Sequence, residues 1–193
     1  SRAVDRCAIE EHGLPGPRLM ARAARAAFAR LLAESPQPEL LQVLCGPGNN
    51  GGDGLLLAVL AAGRAIPVRV FLVDGEARSD DARAAAERAR GAGLEPENFS
   101  PDKLEARGVI VDGMLGTGMQ GAPRAAYAAA IAAVNDLGLP VLALDVPSGV
   151  ETDSGHAAGE AIRAAWTVSL ITAKRGLYTA ARVRLAGLAD SVE

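Results

Sequence analysis

Residues 41–63 read LQVLCGPGNNGGDGLLLAVLAAG, and the fold follows from how this stretch divides. Leu41 to Cys45 is an apolar run too short for a helix, and it is delivered into a glycine-rich turn. Gly54 to Gly63 is almost wholly apolar, as a helix buried on all sides is. The stretch is a strand, a loop and a helix, and the same succession recurs outward along the chain. Val68 to Val73 predicts a strand ending at Asp74-Gly75, followed by a surface helix over Asp80 to Ala92, alanine-rich with its charges on one side. Val109 to Val111 ends at Asp112-Gly113, Pro123 opens a helix through Ala133, and Val141 to Leu144 ends at Asp145. Trp166 to Thr172 and Val183 to Leu185 predict late strands. Upstream, Arg18 to Leu32 places Leu19, Ala23, Ala27 and Leu31 on one helical face, and Ser35-Pro36-Gln37-Pro38 stops that helix. Strands alternating with helices predict an α/β fold, a three-layer sandwich with a mostly parallel sheet and helices on both faces.

At 193 residues, 49% hydrophobic and 22% charged, the chain can bury a core and is not disordered, and residues 1–193 are expected to form a single domain. No segment is long and apolar enough to cross a membrane. Net charge is −3 and the only lysines are Lys103 and Lys174, so no basic stripe exists to neutralise a phosphate backbone and nucleic acid is excluded as a partner. Two cysteines, Cys7 and Cys45, make neither a disulfide scaffold nor a zinc site, which fits a reducing, cytoplasmic setting.

In an open parallel sheet ligands bind outside the carboxyl ends of the strands. Three of those ends carry unusual loops: Gly46 to Gly54, Asp112 to Gly118, and Asp145-Val146-Pro147-Ser148-Gly149. Gly46 to Gly51 spells G-x-G-x-x-G, with Asp74 where a ribose-binding acid would stand, and by itself that predicts a dehydrogenase. Asp53 argues otherwise, since a carboxylate at a helix start repels a phosphate, unless it merely caps the helix. Asn49 and Asn50 offer amide donors and acceptors, and Gly51 and Gly52 serve either a close approach to substrate or positive φ angles. Asp112 and Asp145 should project into one crevice with Asp53 nearby, a carboxylate cluster suited to a cation or a proton, although strand-end aspartates also serve simply as turn residues. Ser148 lies outside any G-x-S-x-G elbow and the only histidines, His12 and His156, read as surface, so its hydroxyl is a ligand rather than a nucleophile. Cys45, Trp166, Met114 and Met119 read as core or pocket wall, and Lys174-Arg175 as rim or solvated charge.

At these loops the sequence resembles the N-terminal YjeF family, the NAD(P)HX epimerases. The resemblance runs through Arg2-Ala3-Val4-Asp5 and Leu19-Met20, GPGNNGGDG at 46–54, DGMLGTG at 112–118, ALDVPSG at 143–149 and AKRGLYT at 173–179. Ala21 and Arg22 depart from it, standing where many members carry an acid and an asparagine. The resemblance implies a Rossmann-like domain, usually a homodimer, that interconverts the R and S epimers of hydrated NADH or NADPH in nicotinamide cofactor repair. It implies functional coupling to an NAD(P)HX dehydratase, which is fused to the epimerase in many members. The substrate-binding positions it implies are Asn49, Asn50, Gly51, Gly52 and Asp53, then Gly116, Thr117, Gly118, Met119, Gln120, Gly121 and Ala122, and Asp145. The implied potassium ligands are Asn50, Asp112 and Ser148, with one ion per subunit, and Asp145 is the expected acid–base. Domains of this fold also serve as non-catalytic ligand-binding or dimerisation modules in RNA decapping scaffolds, the alternative function.

Overall fold

The computed structural model describes residues 16–117, 121–151, 156–170 and 188–192. Its strands are β1 (Leu41–Cys45), β2 (Val68–Leu72), β3 (Glu97–Asn98), β4 (Val109–Gly113), β5 (Val141–Leu144), β6 (Trp166–Leu170) and β7 (Leu188–Val192). They form one seven-stranded sheet in the order β3-β2-β1-β4-β5-β6-β7, with every neighbouring pair parallel. The order runs outward in opposite directions from β1 and β4, so their carboxyl ends flank the topological switch point, where such sheets take ligands.

Among the described residues four α-helices cover the sheet: α1 (Gly16–Glu34), α2 (Asn49–Ala62), α3 (Asp80–Gly91) and α4 (Ala125–Leu137). Because side chains alternate across a strand, Leu41, Val43 and Cys45 join the core beneath α1, α2 and α3, while Leu44 joins the core beneath α4. The same parity sends Val109 and Val111 to the first core and Ile110 to the second. Gln42 is fully buried yet satisfied, donating to the carbonyls of Glu105 and Arg107 and accepting from the Glu105 amide. Cys45 is buried and burial pushes its thiol well above the ordinary value, as befits a small hydrophobe. Met114 lies in the core beneath α4, Trp166 packs partly buried against the core beneath α1, α2 and α3, and His156 is exposed.

Several boundaries differ from the sequence expectation. α2 begins at Asn49, not Gly54, so two thirds of the expected loop, Asn49 to Gly54, is the helix's first turns. Its N-cap is Gly48, which supplies no side-chain cap, and Asp53 is an interior residue of the helix. β4 runs through Asp112 and Gly113, so Asp112 is a strand residue and not the turn residue its neighbour glycine suggested. The edge strand β3 was not foreseen, since two polar residues carry no periodicity. α4 follows an N-cap at Arg124 and is stopped by left-handed Gly138. Val183 to Leu185 lies outside the described residues.

Candidate active site and cation site

The loop leaving β1 is held by backbone contacts before any ligand is considered. The Gly46 amide donates to the Gly113 carbonyl at 3.1 Å. A Cβ on Gly46 would lie 1.9 Å from the Met114 carbonyl oxygen, and one on Gly51 would lie 1.8 Å from that of Gly46. A Cβ on Gly52 would meet Met20 of α1 at 2.7 Å and the Cα of Ala82 in α3 at 3.1 Å. None of the three has a positive φ. These glycines are therefore required by close packing of the chain on itself, rather than by the left-handed turns or the substrate approach weighed from sequence. Gly48 has nothing within 4 Å of a built Cβ and an extended backbone, so Gly48→Ala should cost no more than about 1 kcal/mol, the loss of a favourable N-cap residue, in thermal or urea unfolding.

The backbone of Leu115 bonds two of the three residues expected to ligate a cation, Asn50 and Ser148, and the third, Asp112, is bonded to Ser148. Asn50 Nδ2 donates to the Leu115 carbonyl at 3.0 Å, and the Leu115 amide donates to Ser148 Oγ at 2.9 Å. Ser148 Oγ in turn donates to Asp112 Oδ1 at 2.6 Å, and its amide donates to Asp112 Oδ2 at 2.8 Å. The Met114 amide adds a third bond to Asp112. Burial pushes the Asp112 carboxyl up to about 6, against the downward pull of these bonds. Asn50 Oδ1 is buried with no hydrogen-bond partner among the described residues. An orphaned amide oxygen beside a buried carboxylate and a serine hydroxyl is an oxygen donor set that suits a hard cation.

Asp145 takes φ +69 directly after β5, a conformation aspartate tolerates better than most residues. Its amide donates to the Val168 carbonyl at 2.8 Å, which anchors it to β6. Its Oδ2 would lie 3.4 Å from a Cβ built on Gly116, and that same Cβ would lie 3.4 Å from Asn50 Cβ. Asp145, Gly116 and Asn50 thus border one space, and Gly116 keeps it open by having no side chain. Asp145 is 9% exposed and Asp112 is 0% exposed, so of the two only Asp145 has an edge open to a substrate in the crevice.

The expectation of a three-carboxylate cluster is not met: among the described residues no group of three or more His, Cys, Asp or Glu could hold a metal ion. Asp53 is 8% exposed within α2. Asn49 is exposed, and its Oδ1 accepts from Ser79 Oγ at 2.5 Å, which ties α2 to the N-cap of α3. Gly116 and Thr117 are partly exposed, Gly121 and Ala122 exposed, while Gly118, Met119, Gln120 and Lys174-Arg175 lie outside the described residues. Sequence reasoning missed Leu115, whose role is entirely backbone, and Glu151, whose Oε1 accepts from the Gly121 amide at 3.2 Å. Asp74, which stands where a ribose-binding acid would in a dinucleotide fold, has its carboxylate bonded to Arg124 at 2.6 Å.

The model of the family described as YjeF-related protein N-terminus matches residues 16–176. A bifunctional NAD(P)H-hydrate repair enzyme of Coxiella burnetii is 46% identical over 179 residues, spanning 92% of this chain and 36% of that protein. An NAD(P)H-hydrate epimerase of Achromobacter xylosoxidans is 39% identical, spanning 84% of this chain and 78% of that protein. One from Limosilactobacillus fermentum is 35% identical, spanning 92% and 86%. The chain therefore covers about a third of its bifunctional relative and most of the epimerases. The crystal structure of a yeast protein shares the fold with a TM-score of 0.81 at 21% identity, over 90% of this chain and 78% of that one.

Proposed function

This chain belongs to the YjeF-related protein N-terminus family, and from that premise we propose that it is an NAD(P)H-hydrate epimerase, interconverting the R and S forms of hydrated NADH and NADPH. What carries this reading in the molecule is the Asp145 carboxylate, held beside the open backbone at Gly116 and next to Asn50. In the hydrated cofactor the hydroxyl-bearing C6 is bonded to the ring nitrogen, a hemiaminal. The Asp145 carboxyl group protonates that hydroxyl, the C–O bond breaks to release water, and the nitrogen lone pair forms an iminium. Water then adds to the opposite face of C6 and returns its proton to the Asp145 carboxylate, so one group serves as acid and then as base. Asn49, Asn50, the first turns of α2 through Gly51, Gly52 and Asp53, and the loop from Gly116 to Ala122 would border the remainder of the dinucleotide, with the helix N-terminus favouring its phosphates. Purified R epimer incubated with the protein should yield the S epimer by chromatography, at a rate well above the spontaneous one. Absence of that acceleration sinks the reading.

Potassium fits Asn50 Oδ1, Asp112 and Ser148 Oγ: one carboxylate with two neutral oxygens suits a large monovalent ion better than magnesium, which draws more carboxylate or phosphate. When bound, it would supply a fixed positive charge toward substrate phosphate. Melting temperature should rise with potassium chloride more than with equal lithium or choline chloride, because only a ligand specific to the folded state shifts unfolding by mass action. Asn50→Ala and Asp112→Ala should each abolish the difference. An identical response to all three salts in the unaltered protein would remove the site.

The same reading takes residues 1–193 as one domain, a homodimer with one ion per subunit, acting in the cytoplasm beside a dehydratase that consumes the S epimer. The bifunctional relative supports that coupling by its name. Among the described residues no helix is long and apolar enough to cross a membrane.

A further inference from the structure

Asp74 follows β2 in a left-handed conformation, φ +67, and draws two arginines from separate segments onto one carboxylate. Arg124 Nη2 donates to Asp74 Oδ2 at 2.6 Å, and the Tyr127 hydroxyl donates to the same oxygen at 3.3 Å. Arg78 Nη2 donates to the Asp74 carbonyl at 3.0 Å and lies 3.8 Å from Oδ2. Two guanidiniums against a single carboxylate leave one positive charge in excess. The Arg78 and Arg124 side chains are 64% and 66% exposed, and among the described residues each donates only to Asp74. A guanidinium carries five N–H donors in a rigid fork, so most of them face solvent here. The Arg124 guanidinium also rests over the ring of buried Tyr127, 5.5 Å from its centroid, which limits where it can point.

The position of this group matters as much as its charge. The Arg78 amide donates to the Pro47 carbonyl at 2.8 Å, which joins the group to the loop ahead of α2. Arg124 is the N-cap of α4, immediately beyond the loop that ends at Ala122 and Pro123. The group therefore lies between the two loops assigned to the substrate. β2 and β5 are separated by β1 and β4, so Asp74 and Asp145 stand at strand ends about 14 Å apart at the usual inter-strand spacing. That is of the order of the reach of a dinucleotide from its reacting nicotinamide ring to its second ribose.

We propose that Asp74, Arg78 and Arg124 form the subsite for the adenosine ribose of the substrate, and that the two arginines take a 2′-phosphate, so that the chain selects hydrated NADPH over hydrated NADH. The proposal rests on the epimerase reading for its substrate. A phosphate dianion matches paired guanidiniums in charge and in bidentate geometry, whereas a bare 2′-hydroxyl could engage only the single carboxylate already held by Arg124. Asp74 then acts as a positioning residue, keeping both forks at the strand end before substrate arrives.

Two measurements test this separately from epimerisation itself. By calorimetry the protein should bind adenosine 2′,5′-bisphosphate about tenfold more tightly than adenosine 5′-monophosphate, and Arg78→Ala, Arg124→Ala and their combination should bring the two affinities together. In turnover, the ratio of KM for hydrated NADPH to KM for hydrated NADH should rise by a similar factor in the double variant. Equal affinities in the unaltered protein, binding of neither nucleotide, or a preference that survives the double substitution would each overturn the subsite. A protein that shows the nucleotide preference but epimerises neither substrate would instead retain the subsite and lose the epimerase reading. Arg78→Ala alone removes an exposed side chain, so its affinity change can be read without a folding defect.

Discussion

Asp145→Asn is expected to slow epimerisation by about 100- to 10,000-fold while melting close to the unaltered protein. The amide can still hydrogen-bond but cannot exchange a proton, and asparagine tolerates φ +69 as well as aspartate does, so the backbone after β5 keeps its course. Asp145→Ala would add a separate cost, roughly 1 kcal/mol for holding an ordinary residue in the left-handed region, and confuse the two effects. Steady-state rates on R epimer, read beside a melting curve, decide the matter: near-normal turnover with unchanged melting would remove Asp145 from the chemistry. Asp112 is not an alternative proton donor in this geometry, because it is fully buried and bonded to the Met114 and Ser148 amides and the Ser148 hydroxyl.

Gly51→Ala should damage the fold more than any other single methyl added to the glycine-rich segment beyond Gly48. Its Cβ would sit 1.8 Å from the Gly46 carbonyl oxygen, a backbone atom that cannot swing aside as a side chain can. Relief requires α2 to move away from the end of β1, which would unseat Leu55 and Leu57 from the core. Overpacking usually costs 1–3 kcal/mol and a backbone clash exceeds that range, so a loss of about 3 kcal/mol or more is expected. For a chain of this length that lowers the melting temperature by roughly 10 °C. At Gly52 the nearest atoms belong to flexible Met20, so Gly52→Ala should be milder, and Met20→Ala should relieve part of its cost. If Gly51→Ala melts like the unaltered protein yet binds substrate poorly, the turn serves the ligand and not the packing.

The contrast between Gly51 and Asn50 shows how far local pattern carries. GPGNNGGDG stands out as a candidate ligand loop by its position after an apolar strand, because ligand-binding loops of parallel sheets occupy that place. Its glycines could not reveal which atom they approach, since the carbonyl of Gly46 and the carbonyl of Met114 reach them through folding. Likewise Asp112 and Ser148 stood out beside their glycines, but the hydroxyl-to-carboxylate bond that joins them spans 36 positions. The Asn50 contact with Leu115 spans 65, and no nearby residue hints at it.

The sequence by itself determined the α/β class, the order of the main strands and helices, the apolar layers on both faces of the sheet, and the loops that would converge. Those properties follow from hydrophobic period, run length and turn chemistry, which act over a few residues and survive in any local reading. Only the tertiary structure decided that α2 starts at Asn49, that Asp112 is sealed under Ser148 while Asp145 keeps an edge to the crevice, that Asn50 Oδ1 is left without a partner among the described residues, and that Asp74 holds two arginines. Each of these is settled by desolvation and by hydrogen bonds between strand ends brought side by side, and both depend on which distant segment arrives at the neighbouring position in the sheet.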